Sequence, residues 1–227
     1  SRLFCPMALR LLLDSAAALD WQAWLPGGLF RGVTTNPTLL RRAGVPCSTD
    51  ALGDLCRRAR DFGCQELHLQ AWGADAGSLH DCGRRLADLD PGLVRVKLPI
   101  DRAGAVAGRQ LVAAGVPLTF TACYEAPQVL IAAALGATDI APYLGRIQDQ
   151  GRDGLAELIA MQRCLDGLGS SLRLLVASLR QPDDLVALAA AGVDSFTLAP
   201  GLADRLCRCA ATEAAAEAFL ADATAAP

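Results

Sequence analysis

Two patterns of apolar residues alternate along the chain, one typical of strands and one typical of helices. Eight short, mainly apolar runs recur between glycine, proline or polar clusters, and a segment with the i, i+3, i+4 apolar spacing of a helix follows each run. Short apolar runs in this setting are typical of buried strands. We predict strands at Leu9–Leu13, Phe30–Thr34, Glu66–Gln70, Leu93–Leu98, Val116–Thr121, Thr138–Ala141, Leu172–Ala177 and Asp194–Leu198.

The segments between these strands carry the start and stop signals of helices. Ser48-Thr49-Asp50 and Gln181-Pro182-Asp183 precede two of them as capping sequences, and glycines such as Gly63 and Gly115 end others. We predict helices at Ala16–Leu25, Thr49–Phe62, Ala76–Leu89, Arg102–Ala114, Ala126–Leu135, Gly154–Leu168, Pro182–Ala191 and Gly201–Cys209.

Strands that alternate with helices indicate a parallel sheet, because each helix returns the chain to the same end of the sheet. Eight such units predict an α/β fold, a (βα)8 TIM barrel, with residues 1–227 as a single domain. A further helix at about residues 213–223, Glu213–Ala223, follows the eighth unit. A doubly wound open sheet is the alternative, but it requires a glycine-rich turn where this chain has Asp14-Ser15-Ala16.

Composition and charge exclude several classes of function. The chain is 52% apolar with a net charge of −3, so it has enough material for a core and no broad basic surface for nucleic acid. No apolar run reaches the roughly 18 residues that span a membrane. The stretch from Met7 to Leu13 resembles a weak signal peptide, but Arg10 interrupts it and Asp14 ends it, which favours a strand.

The cysteines and histidines lack the pattern of a disulfide framework or a metal site. Nine cysteines are scattered along the chain without a C-x-x-C pair, and the only histidines are His68 and His80. We therefore expect reduced cysteines, a cytoplasmic location, and an activity that uses neither metal nor cofactor.

Polar residues follow seven of the eight predicted strands. In a TIM barrel the carboxyl ends of all strands meet on one face, where the active site lies. A ring of polar groups on that face indicates a site for a polyhydroxylated or carbonyl substrate. The strand ends present Asp14, Thr34-Thr35-Asn36, Gln70, Lys97, Thr121, Tyr143, Ser178 and the apolar Pro200.

Lys97 is the only lysine in a chain that has 20 arginines. It lies between apolar neighbours on a predicted buried strand, where burial lowers the pKa of an amine and leaves it neutral and nucleophilic. A neutral amine forms Schiff bases with ketones and aldehydes, which arginine does not. The alternatives are a lysine in an internal ion pair and a codon bias that spared one lysine by chance.

Period-2 alternation places Arg95 on the same strand face as Lys97, and it places Glu66, His68 and Gln70 on one face of the preceding strand. We expect Glu66 and Arg95 to pair beneath Lys97, with His68 as a hydrogen-bonded core histidine. The hypothesis adds that the Arg95 cation helps to lower the pKa of Lys97.

Five linked motifs resemble those of the transaldolase family and occur in the family's order. The resemblance extends from Leu11 to about Pro200, and the length is similar to the compact branch that includes fructose-6-phosphate aldolase and small transaldolases. The motifs are Gly32-Val33-Thr34-Thr35-Asn36-Pro37-Thr38, Val96-Lys97-Leu98-Pro99, Leu118-Thr119-Phe120-Thr121-Ala122-Cys123-Tyr124, Ala141-Pro142-Tyr143-Leu144-Gly145-Arg146-Ile147 and Ala177-Ser178-Leu179-Arg180.

The resemblance implies an aldol reaction in which Lys97 forms a Schiff base with C2 of a ketose phosphate, after which the C3–C4 bond breaks. It implies that Asp14 is the acid–base group and that Thr121 positions a catalytic water. The binding residues carried over are Thr34 and Asn36 for the dihydroxyacetone portion, and Arg146, Ser178 and Arg180 for the phosphate.

Two positions separate the activities within the family. Gln70 and Tyr143 resemble the aldolase, whereas the larger transaldolases resemble one another in having glutamate and phenylalanine there. A tyrosine hydroxyl beside the catalytic water assists protonation of the enamine, so we expect reversible cleavage of fructose 6-phosphate to dihydroxyacetone and glyceraldehyde 3-phosphate. The alternatives are transaldolase transfer of a dihydroxyacetone unit in the pentose phosphate pathway and an inert sugar-phosphate binding barrel that does not depend on Lys97.

The resemblance also implies a homo-oligomer, because compact members of the family form rings of subunits. The expected partners are therefore a sugar phosphate and further copies of the chain, with no nucleic acid and no membrane. A metal-dependent aldolase is disfavoured, because the two histidines do not form a cluster that could hold the ion.

Overall fold

The strands form a closed barrel in which every strand runs parallel to its neighbours. A computed structural model describes residues 9–225, and within them each strand pairs with the next in sequence while the last pairs with the first. This confirms the predicted (βα)8 barrel and excludes the open sheet. The strands are β1 Arg10–Asp14, β2 Gly32–Thr34, β3 Glu66–Gln70, β4 Val94–Pro99, β5 Leu118–Cys123, β6 Asp139–Pro142, β7 Arg173–Val176 and β8 Ser195–Leu198.

The predicted helices are all present, with ends shifted by up to three residues, and the additional C-terminal helix is among them. Two six-residue helices, Pro37–Arg42 (α2) and Leu144–Asp149 (α7), were not predicted, because so few residues do not show a helical period. Residues 7 and 8 of the apolar stretch from Met7 to Leu13 lie outside the described residues. The helices are α1 Ala18–Trp24, α2 Pro37–Arg42, α3 Thr49–Asp61, α4 Ala76–Ala87, α5 Arg102–Ala113, α6 Gln128–Ala134, α7 Leu144–Asp149, α8 Gly154–Leu168, α9 Pro182–Ala190, α10 Pro200–Cys207 and α11 Ala210–Thr224.

Each strand presents alternate side chains to the outer helices and to the barrel interior. In β4, the side chains of Val94, Val96 and Leu98 are buried in the apolar core between the sheet and the helices. Arg95 and Lys97 alternate with them and point into the barrel. The barrel interior is therefore unusual, because TIM barrels generally fill it with branched apolar side chains.

A small apolar cluster of Leu12, Ala141 and Leu175 lies inside the barrel, separate from the main core. On β1, Leu12 lies between Arg10 and Asp14, which face the same way. The cluster therefore lies between an ionic layer at the amino ends of the strands and a polar site at their carboxyl ends. The ionic layer consists of Arg10, Arg31, Glu66, His68, Arg95, Thr119 and Asp139.

The centre of the ionic layer is the fully buried carboxylate of Glu66. Its oxygens lie 2.8 Å from Arg95 Nε, 3.1 Å from Arg31 Nε and 3.4 Å from Arg10 Nη1. The predicted pair of Glu66 and Arg95 is thereby confirmed. Gly32 is the register partner of Glu66, and a Cβ at this position would come within 2.0 Å of the Glu66 carbonyl oxygen. Only glycine fits there without displacing the backbone of Glu66.

Arg10 links this carboxylate to a second one, because its guanidinium also contacts Asp139 on β6. The carboxylates of Glu66 and Asp139 and the ring of His68 are close enough together to hold a metal ion. Arg10 contacts both carboxylates and supplies positive charge beside them.

His68 is the core histidine that the sequence predicts. Its Nε2 lies 2.9 Å from Glu66 Oε2, and its Nδ1 lies 3.0 Å from Thr119 Oγ1. Burial lowers the pKa of His68, so the ring is neutral. Burial opposes ionisation of Glu66 as well, but the hydrogen bond from His68 and the nearby cations lower the pKa of Glu66 to about 2. With Glu66 ionised, Nε2 donates to the carboxylate and Nδ1 accepts from the threonine hydroxyl.

We expect the free energy of unfolding to decrease in two steps as the pH falls. Below about 6.5 the unfolded chain takes up a proton at His68 that the folded state, with its lowered pKa, does not. Below about 4.5 the same applies to Glu66, until the pH reaches its folded pKa of about 2. Urea denaturation from pH 8 to pH 3 measures both steps. His68→Gln should remove the step between pH 7 and pH 5, and His80→Gln should retain it; the same slope in both variants would contradict the assignment.

The cysteines within residues 9–225 are all free thiols, and Cys5 lies outside the described residues. Burial raises the pKa of Cys123 to about 12 and that of Cys56 to about 11. These two thiols therefore stay protonated and act as small apolar side chains in the core.

The last helix, α11, contributes no buried residue to the described fold. Its two large apolar side chains, Phe219 and Leu220, are 71% and 67% exposed. The homo-oligomer stays a prediction. No helix in the described part of the chain combines the length and apolarity needed to cross a membrane.

Candidate active site

A cavity opens at the carboxyl end of the barrel, on the face where the polar strand ends meet. Its volume is about 250 Å³, and helices α2 and α7 complete the wall formed by the strand ends. Three predicted site residues, Gln70, Thr121 and Arg180, lie outside this wall. The seven predicted residues inside it are Asp14, Thr34, Asn36, Lys97, Tyr143, Arg146 and Ser178.

The amine of Lys97 reaches the cavity from the interior of the barrel and is only 5% exposed. Its Nζ donates a hydrogen bond to the carbonyl oxygen of Thr35, at 2.8 Å. Burial lowers the pKa of Lys97, and the carboxylate of Asp14 partly opposes this effect. Arg95 does not contribute to this shift, and its guanidinium lies 2.8 Å from the carboxylate of Glu66.

Asp14 ends β1 and receives a chain of hydroxyl hydrogen bonds. Thr34 Oγ1 donates to Asp14 Oδ1 at 2.7 Å, so its only proton is used, and Thr197 Oγ1 at 2.5 Å is the donor to Thr34. Burial raises the pKa of Asp14, while Lys97 and the Thr34 hydrogen bond act in the opposite direction. A raised carboxyl pKa and a lowered amine pKa bring the two groups closer in acidity, which favours proton exchange between them.

Asn36 has a structural task that limits its role in binding. Its side-chain oxygen accepts a hydrogen bond from the backbone N–H of Leu39 at 2.9 Å and thereby caps α2, which Pro37 begins. One lone pair of the oxygen is therefore used by the cap, and the amide nitrogen is the group that can donate to a ligand.

Tyr143 and Thr121 are joined by a 2.6 Å hydrogen bond between their hydroxyls. Thr121 does not line the cavity itself, but it orients the tyrosine that does. The ring of Tyr143 packs edge-on against Tyr124, with centroids 5.6 Å apart, and the Arg146 guanidinium lies 4.8 Å from its centroid. The tyrosine hydroxyl is thus held in one place at the cavity wall.

Ser178 adopts a positive φ of 57°, which is rare for a residue with a side chain and marks local backbone strain. Its carbonyl oxygen accepts a hydrogen bond from the N–H of Gly145 at 2.8 Å, which ties the β7 loop to the first turn of α7. Gly145 cannot be replaced there, because a Cβ would lie 2.5 Å from that oxygen and 2.7 Å from Arg180 Nε. This close packing holds Ser178 beside Arg146.

Arg180 is engaged outside the cavity. Its guanidinium donates two hydrogen bonds of 2.6 Å to the carboxylate of Asp149, at the end of α7. Gln70 also lies outside the wall, as the register neighbour of Lys97, and its amide donates to the Ala71 carbonyl at 3.3 Å.

The cavity contains three polar residues that the sequence did not reveal: Thr38, Arg42 and Thr197. Thr38 and Arg42 belong to α2, the unpredicted helix. Thr197 lies inside β8, and period-2 alternation on that strand could have found it, since Ser195 and Thr197 both face the interior.

Three comparisons agree with this fold. The family described as Transaldolase/Fructose-6-phosphate aldolase matches residues 11–226. A probable transaldolase from Hyphomonas neptunium is 33% identical over 215 residues, 95% of this chain and 97% of that protein. One from Phenylobacterium zucineum is 31% identical over 214 residues, 94% and 96% of the two chains. A solved thiamine phosphate pyrophosphorylase from Pyrococcus furiosus shares the fold alone, with a TM-score of 0.58 and 14% identity. The match covers 84% of this chain and 85% of that one. The chain belongs to the transaldolase/fructose-6-phosphate aldolase family.

Proposed function

We propose that this protein is a Schiff-base aldolase that reversibly cleaves fructose 6-phosphate to dihydroxyacetone and glyceraldehyde 3-phosphate. The observation that carries the proposal is the buried Lys97 amine, with its lowered pKa, in the wall of a cavity that also contains the carboxyl group of Asp14. A neutral amine attacks a ketone, and a neighbouring carboxyl group supplies and accepts the protons of that reaction.

Cleavage begins when Lys97 Nζ attacks C2 of the ketose and the carbonyl oxygen leaves as water, which forms a protonated imine. Asp14 provides the proton for that water and is then a carboxylate. The carboxylate accepts the proton of the C4 hydroxyl, the C3–C4 bond breaks, and its electron pair enters the imine as an enamine. Glyceraldehyde 3-phosphate leaves at this stage.

Release of the second product requires a proton on C3 of the enamine and then water on the imine. We assign the positioning of this water to the joined hydroxyls of Thr121 and Tyr143, supported by their 2.6 Å hydrogen bond. Gln70 lies beside Lys97 across the strand pair, and we propose that it orients the same water. Hydrolysis of the imine then frees dihydroxyacetone and restores the lysine amine.

We assign binding of the two ends of the substrate to different residues of the cavity wall. Thr34 and the amide nitrogen of Asn36 face the dihydroxyacetone portion, and Arg146 with Ser178 faces the phosphate. Arg180 remains a predicted phosphate ligand, but this role requires its guanidinium to leave Asp149.

Transfer of the dihydroxyacetone unit to a second sugar phosphate is the other candidate. It is favoured by the two relatives, which are both described as probable transaldolases. The two activities differ in what reacts with the enamine. In cleavage it is a proton, followed by water on the imine, and in transfer it is the second sugar phosphate. Purified protein is incubated with fructose 6-phosphate alone and then with added erythrose 4-phosphate. Release of glyceraldehyde 3-phosphate without the acceptor supports the aldolase, whereas activity only with the acceptor supports the transferase.

Tyr143→Phe should shift the protein from cleavage toward transfer. The variant keeps the ring but loses the hydroxyl that contacts Thr121, so protonation of the enamine slows and the intermediate persists until an aldehyde arrives. We expect the ratio of cleavage rate to transfer rate to fall at least about tenfold. Tyr124→Phe is the matched control, because it removes the other tyrosine hydroxyl, which contacts Arg146. A similar fall in both variants would show that Tyr143 has no special part in protonation.

A further inference from the structure

The cavity contains two arginine side chains, Arg42 on α2 and Arg146 on α7. Within residues 9–225 neither guanidinium has a carboxylate partner within ion-pair distance, whereas Arg180, outside the wall, is paired with Asp149. The only carboxylate in the wall is Asp14. The cavity therefore carries two guanidiniums that form no salt bridge within the described residues, which favours an anionic ligand.

These two arginines approach the mouth from opposite sides. Helix α2 follows β2 and α7 follows β6, and these strands are four positions apart in a closed ring of eight. Arg42 lies one helical turn after Thr38, and both line the cavity, so this face of α2 is turned toward the ligand.

The position of Lys97 determines where an anionic group would lie. Its amine is 5% exposed and therefore lies deep in the cavity. A ketose attached there through C2 extends toward the mouth, and its terminal phosphate lies at the far end of the carbon chain. Two guanidiniums that face each other across the mouth would hold a phosphate from both sides.

We propose that Arg42 is a second phosphate-binding arginine, which acts across the cavity mouth from Arg146 and Ser178. This inference rests on the proposed function and extends it to a residue outside the motifs that carry the family resemblance. It adds Arg42 to the predicted phosphate ligands, among which Arg180 has its guanidinium bound to Asp149. Arg42 thereby sets the preference for phosphorylated over unphosphorylated ketoses.

The test compares Arg42→Gln with Arg41→Gln, a matched control on the same exposed helix end that does not line the cavity. For each protein, kcat/KM is measured with fructose 6-phosphate and with fructose. In Arg42→Gln the ratio of the two values should fall about 10- to 100-fold, through a higher KM for the phosphorylated sugar. In Arg41→Gln the ratio should stay within about twofold of the wild-type ratio. A wild-type ratio in Arg42→Gln overturns the proposal.

A binding measurement separates this inference from the proposed function. Inorganic phosphate is titrated into wild type and both variants by calorimetry, and its Kd should rise at least about fivefold only in Arg42→Gln. In parallel, wild type is reduced with borohydride in the presence of dihydroxyacetone. If no adduct forms at Lys97, the proposed function fails while the titration still decides the role of Arg42. An equal Kd in wild type and Arg42→Gln overturns that role.

Discussion

Lys97→Arg is expected to lower the rate of fructose 6-phosphate cleavage by on the order of 10,000-fold or more, the scale seen when a covalent enzyme loses its nucleophile. The variant places a permanently protonated guanidinium beside Asp14, and this group does not form the imine. The rate is measured by coupling release of glyceraldehyde 3-phosphate to a dehydrogenase assay.

Lys97→Met separates loss of the chemistry from loss of folding, because the buried amine contributes little to stability. Burial lowers the pKa of Lys97, which means that the folded state disfavours the charged amine. Lys97→Met should therefore be at least as stable as wild type in urea and equally inactive. A clearly destabilised Lys97→Met variant would contradict this account.

The same lysine permits a direct test of the covalent step. Lys97 is the only lysine in the chain, so borohydride reduction with dihydroxyacetone should give one lysine adduct, and peptide mapping separates it from any adduct on the terminal amine. An unmodified Lys97 would instead favour the reading of the chain as an inert sugar-phosphate binding barrel.

Glu66→Gln is expected to lower the free energy of unfolding by about 3–5 kcal/mol, the range for removing one partner of a buried ion pair. The change removes the charge that Arg10, Arg31 and Arg95 share, and it leaves Asp139 as the only carboxylate in the ionic layer. Urea denaturation at pH 7 measures the loss.

The control for this prediction is Asp54→Asn, which removes the carboxylate of an exposed i, i+3 pair with Arg57. Exposed pairs contribute little, because water and salt screen them, so this variant should unfold at nearly the wild-type urea concentration. If Glu66→Gln were as stable as Asp54→Asn, the ionic layer would not stabilise the barrel.

The fold and most of the candidate site could be predicted from the sequence, because both follow from local patterns. Alternation of strands and helices specifies a barrel, and a barrel brings the strand ends together, which places Asp14, Lys97 and Tyr143 around one cavity. The Glu66–Arg95 pair followed from period-2 alternation on adjacent strands.

The other features of the site and of the barrel interior depend on contacts that sequence spacing does not encode. Arg42 lies at the end of a helix too short to be predicted, and Arg180 is bound to Asp149 on the other unpredicted helix. Arg10 is 129 residues away from Asp139, and only the closed ring of strands shows that they meet.

The ionic layer also determines how the barrel can fold. Arg10 on β1 contacts Glu66 and Asp139, which are 56 and 129 residues away, so these charges are paired only when the first and sixth strands are both in the ring. A partly assembled barrel would have to leave these charges in water or bury them unpaired, and burial without a partner is strongly unfavourable. Contacts of such long sequence separation form only after a large loop-closure entropy has been paid. Closure of the ring should therefore be cooperative, and a fragment that ends before β6 should fail to form a stable half-barrel.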